Sequence, residues 1–115
     1  MQENYTQEEL LEIAQAVFDQ MGGLKSICIM TAAYNFKSEN EGNNVAVSWR
    51  FKGSRTYNYV KILYTPRDDY TMILGQYRKS QGLPILKIRS SQDNLLCCDI
   101  KKYFEQETGL YLTLF

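Results

Sequence analysis

The sequence predicts an α+β fold: a four- to five-stranded antiparallel meander with an N-terminal and a C-terminal helix packed on one face. Three observations predict it. Apolar residues recur at helical intervals near both ends of the chain, while β-rich runs joined by short polar turns fill the middle. Two amphipathic helices also need a shared apolar surface, and one face of a meander supplies it. The 115 residues, 44% of them hydrophobic, contain no repeat, low-complexity tract or linker, so residues 1 to 115 read as a single α+β domain. A chain of this size buries about two-thirds of its unfolded surface and needs no disulfide or metal to fold.

The first helix is expected over residues 7 to 21. Thr6 and Glu9 have capping-box spacing, and Leu10, Ile13, Ala14, Val17 and Met21 form one stripe that Gly22 and Gly23 end. Glu8, Glu9 and Glu12 complement the positive end of its dipole. Residues 26 to 33 are apolar at nearly every position and read as a central strand; residues 37 to 44 read as a polar loop. Val45, Val47, Trp49 and Phe51 then alternate with Ala46, Ser48, Arg50 and Lys52, which gives a strand with one core face and one cationic face. The runs 57 to 64 and 70 to 78 flank Pro66, Arg67, Asp68 and Asp69, good turn chemistry for an antiparallel hairpin. A further strand is expected over residues 84 to 89. Ser90 and Asp93 suggest the cap of a second helix carrying Leu96, Ile100, Tyr103 and Phe104 and ending near Gly109, with residues 110 to 115 as a short strand or apolar tail.

Histidine is absent, which removes the commonest general base, the Ser/His/Asp and Cys/His constellations and most transition-metal sites. The three cysteines, with Cys97 and Cys98 adjacent, make a poor disulfide framework and read as reduced thiols. A nucleophilic thiol in that pair has no histidine to act as its base, and one of the two is expected to face the core. Asp68 and Asp69 read as solvated turn residues, and Gly22 and Gly23 follow a helix instead of opening one, so they form a helix end and not a phosphate loop. No catalytic residue, metal or cofactor is assigned. The start of the chain lacks the basic and apolar runs of a signal peptide, and no stretch approaches the ~20 apolar residues of a membrane span. A cytoplasmic protein without a membrane partner is expected.

The informative feature is charge placement. Residues 1 to 21 carry five acids and no base, whereas residues 42 to 89 carry nine bases and only two acids, although the whole chain sums to zero. With Val60 and Ile62 inward, alternation turns Arg50, Lys52, Tyr57, Tyr59 and Lys61 outward, and Tyr77, Lys87 and Arg89 join them. Such a face suits single-stranded or looped nucleic acid, since cations neutralise phosphates and rings stack bases. It equally suits a solvated sheet face, where Lys, Arg and Tyr discourage edge pairing. Met72 beside Ile73 hints that part of this face is covered, which leaves a homo-oligomer open.

Met21-Gly22-Gly23 leading into Ile29-Met30-Thr31-Ala32-Ala33-Tyr34-Asn35-Phe36, then Val60-Lys61-Ile62 with Asp69-Tyr70-Thr71-Met72, and finally Phe104 with Glu107-Thr108-Gly109-Leu110-Tyr111 resemble, in order and spacing, a family of small proteins of bacterial tailed phages and other mobile elements. No activity or catalytic residue is established for that family. The resemblance implies an accessory protein of a mobile element. The expected function is a non-enzymatic binding module for nucleic acid. The alternative is a protein-binding module, such as an inhibitor of a host defence system, that engages a host protein through the same face or through the acidic first helix.

Overall fold

A computed structural model describes residues 4 to 112 as three helices and one five-stranded sheet. Helix α1 (Gln7–Gln20) begins as its capping box dictates: the Thr6 hydroxyl accepts from the Glu9 backbone N–H at 3.2 Å, and the Glu9 carboxylate accepts from the Thr6 N–H at 3.0 Å. Leu10, Ala14, Val17 and Phe18 are its buried stripe.

The next segment corrects the expected strand over residues 26 to 33. It is helix α2 (Leu24–Thr31), which buries Ser26, Ile27 and Thr31 while Leu24 and Ile29 stay exposed. An unbroken apolar run has no period of its own, so its context decides the conformation. Gly22 and Gly23 hold φ of 103° and 99°, which turns the chain straight from α1 into a second helix.

The sheet is a meander in the order β1 (Tyr34–Glu41), β2 (Asn44–Arg50), β3 (Tyr59–Tyr64), β4 (Tyr70–Ser80) and β5 (Leu83–Leu95), with every pair antiparallel. Strand β1 replaces the expected polar loop over residues 37 to 44. Glu41 pairs with Asn44, and only Gly42 and Asn43 remain for the turn, with Gly42 at φ 62°. The hairpin between β3 and β4 forms as expected: Thr65 N–H donates to the Asp69 carbonyl and Asp68 N–H to the Thr65 carbonyl, each at 3.0 Å. Gln81 and Gly82, both at positive φ, join β4 to β5.

The last strand is much longer than the expected 84 to 89, and Ser90 and Asp93 lie inside it instead of capping a helix. Ser90 meets the Tyr103 hydroxyl at 2.5 Å and Glu107 at 2.9 Å, and Asp93 accepts from Thr71 at 3.1 Å. Helix α3 (Ile100–Thr108) therefore starts later and ends at Gly109, φ 77°. Leu112 is buried beyond it, its N–H donating to Glu105 at 2.8 Å; the remainder of the predicted tail lies outside the described residues.

Cross-strand rows Val47, Ile62, Met72 and Trp49, Val60, Leu74 make one face of the sheet the core. Phe18 of α1 meets the Trp49 ring at 5.7 Å, and Phe104 of α3 meets Phe51 at 5.1 Å, so the first and last helices cover this inner face together. The outer face carries no helix among the described residues.

Candidate nucleic-acid interface

Strand alternation places Ser48 and Arg50 of β2, Tyr59 and Lys61 of β3, and Tyr77 of β4 on the outer face. Arg50 is the centre of the group. Its guanidinium carbon lies 4.4 Å from the centroid of the Tyr77 ring and 5.7 Å from that of Tyr34, and the Tyr77 ring meets Tyr59 edge-on at 5.3 Å. Lys52, two residues on and exposed, brings its ammonium within 5.6 Å of the Tyr34 centroid. Burial pushes the Tyr59 phenol above its ordinary pKa of 10.0, against a hydrogen bond from Ser48 that pulls it down, so the ring stays neutral beside these cations.

Tyr77 is held there by Asn58. The Asn58 side chain accepts from the Tyr77 N–H at 2.7 Å and donates to the Tyr77 carbonyl at 3.1 Å, while its own N–H donates to the Gly75 carbonyl at 3.0 Å. One asparagine thus extends the ladder past the end of β3. Beyond it the β4–β5 hairpin continues as a two-stranded arm.

The arm leans over the outer face. Strand β5 lies four positions from β1 in the sheet, a separation of about 19 Å were the sheet flat. Yet Pro84 of β5 lines one concavity with Asn35 and Lys37 of β1, together with Ser48, Arg50, Tyr59 and Tyr77. Two irregularities lie at the base of the arm. Gly75 faces the β5 backbone so closely that a Cβ would lie 2.8 Å from the Lys87 carbonyl oxygen and 3.0 Å from Leu86, and the register slips beside it, leaving Arg89 as a bulge. The resulting cleft holds about 160 Å³, and none of its lining residues is a carboxylate.

Three of the expected positions need correction, and a fourth faces outward as expected but is ion-paired. Tyr57 precedes β3 in an irregular segment, so alternation does not apply to it, and its ring is buried in the core. Lys87 pairs with Gln76, one residue out of phase with Tyr77, and Arg89 donates to the Gln76 side chain at 3.5 Å; both are exposed but stand on the opposite face. The extra residue in β5 and the coiling of the arm are what alternation over a flat strand misses. Lys61 does face outward, but it is half-buried and ion-paired with Glu41. The site therefore keeps Arg50, Lys52, Tyr59 and Tyr77, and gains Tyr34, Lys37 and Pro84.

Away from this cleft, Cys97 and Cys98 are both exposed in the turn before α3, so neither faces the core as expected; Cys28 is half-buried and no thiol is paired. Asp68 and Asp69 serve the turn: Tyr64 donates to Asp68 at 2.6 Å and Thr65 donates to Asp69. A larger concavity of about 430 Å³ beside Asn4, Tyr5, Glu9, Asn43 and Pro66 contains a carboxylate and no cation, which is the wrong sign for a polyanion. No helix among the described residues is long and apolar enough to cross a membrane. No protein-family model matches the chain, and no similar curated protein or solved structure is found.

Proposed function

We propose that this protein is a non-enzymatic binding module that takes single-stranded nucleic acid across the Arg50 end of its outer face. The observation that carries the reading is the cleft itself: Lys37 and Arg50 inside it, Lys52 at its rim, three tyrosines around them and no carboxylate in its lining. Cations supply phosphate affinity through counterion release, and the exposed parts of the rings offer stacking surface that tolerates any base. The coiled arm favours a flexible single strand over a rigid duplex, because a rod cannot follow a face closed on one side. Short single strands should bind at low salt with affinity that falls steeply as salt rises, and Arg50→Glu should abolish that binding. Absence of affinity at low salt, or an unchanged Arg50→Glu variant, would sink the idea.

A second reading, a module that engages a host protein in a mobile-element setting, is favoured by Leu83, Ile85 and Ile88, which stand at least half exposed on the arm. Exposed apolar residues grouped on one strand suit a protein surface better than a phosphate backbone. It predicts that Leu83→Asp with Ile85→Asp removes a stoichiometric host partner while oligonucleotide affinity is unchanged. Loss of oligonucleotide affinity alone would count against it.

A further inference from the structure

We propose that the cleft beneath Pro84 is a seat for a single phosphate group, with the Arg50 guanidinium as its central group. The proposal deepens the nucleic-acid reading and rests on it for the source of the phosphate. Among the described residues, two buried side-chain donors lack a partner, Trp49 Nε1 and Arg50 Nε. The first lies in the aromatic layer with Phe18 and Phe36, whereas Arg50 lines the cleft. A buried N–H without an acceptor is costly, and a charged donor more so.

The geometry of the guanidinium is already set. Tyr77 and Tyr34 hold it against their rings at 4.4 Å and 5.7 Å, which removes much of the rotamer freedom that an anion would otherwise have to quench. A planar fork fixed in this way matches a tetrahedral oxyanion and not a single point charge. Lys37 adds a second positive charge. Size narrows the class further. At about 160 Å³ the cleft takes a phosphate and a few waters of ~30 Å³ each, well below the ~300 Å³ at which pockets begin to enclose a drug-sized molecule, so a nucleoside does not fit inside. The base and sugar attached to such a phosphate would stay outside, against the exposed parts of Tyr34 and Tyr59.

The test is a titration of the protein with inorganic phosphate, read at the Arg50 Nε–H resonance, with sodium chloride at matched ionic strength as the control. A saturable shift with phosphate and none with chloride is expected; no shift, or the same shift with both, overturns the seat. Arg50→Lys keeps the charge and loses the fork, and should remove the phosphate response and weaken oligonucleotide binding about tenfold. Native behaviour of Arg50→Lys in both assays overturns the proposal. Two strands, one 5′-phosphorylated and one not, distinguish the sources: preference for the first identifies a terminal phosphate, equal binding an internal diester, and each supports the seat where inorganic phosphate competes. Oligonucleotide binding with no phosphate response refutes the seat and leaves the nucleic-acid reading standing. A phosphate response without oligonucleotide binding does the reverse.

Discussion

Arg50 on β2 and Lys61 on β3 project from the same face of the same sheet, yet their surroundings differ. Lys61 is ion-paired with Glu41, which stands at the end of β1 beyond Glu39. Arg50 has the Tyr34 and Tyr77 rings against it and no ion pair among the described residues, and Lys37, nearer the start of the same β1, adds charge instead of cancelling it. The sign of the face therefore reverses along β1, from Lys37 to Glu39 and Glu41. An outward-facing cation is thus not by itself a binding group. What distinguishes Arg50 is that it is held without being neutralised.

The largest effect is expected from neutralising each cation in turn. Arg50→Gln should cost about tenfold or more in affinity for a short single strand, because a charge-assisted contact is worth roughly 1.5–3 kcal/mol, whereas Lys61→Gln should stay within about twofold. Equal losses, measured by fluorescence anisotropy at low salt, would break the comparison. Gly75→Ala tests the coil that brings the arm over Arg50. Its Cβ would meet backbone at 2.8 Å, so the β4–β5 pairing must shift, with about 1–3 kcal/mol of destabilisation in denaturant melts and weaker binding at the Arg50 end.

A gain should come from Glu41→Gln. Freed of its carboxylate partner, Lys61 becomes available to phosphate, and the salt dependence of binding should steepen by about one ion with a severalfold rise in affinity. An unchanged slope would mean that the acidic end takes no part. The smallest effect lies at high pH. The hydrogen bond from Tyr64 to Asp68, helped by burial and by the Asp68 charge, pushes the Tyr64 phenol up to about 12 from 10.0. The folded chain thus keeps a proton that the unfolded chain releases near pH 10, so this stabilisation is complete below pH 10 and is lost as the pH rises toward 12. Tyr64→Phe should flatten the fall in melting temperature across that window and leave oligonucleotide binding at neutral pH untouched.

Legibility differs from element to element for physical reasons. Helix α1 was readable because cap, stripe and terminator agree at Thr6, Leu10 to Met21 and Gly22. Strand β2 was readable because alternation between Val45 and Phe51 is strict. Strand β1 was hidden by its polar side chains, although the Gly42-Asn43 dipeptide is a hairpin signal that would have recovered it and, with it, Lys37. The apolar run of α2 carried no period, and Ser90 and Asp93 mimicked a cap whose residues instead bond to α3 and to β4.

The α+β class, the antiparallel meander, the terminal helices on a shared inner face and the cationic character of β2 are all written in the order of residues, since each follows from local periodicity and from the need to bury apolar stripes. Which cations stand together depends on how the strands assemble. Arg50 and Lys52 are grouped with Tyr34 by the β1–β2 pairing, and Arg50 and Lys37 with Pro84 by a long hairpin that has a bulge and a close backbone approach at Gly75. Those features set distances between strands far apart in the sheet, and no pattern along a single strand encodes them.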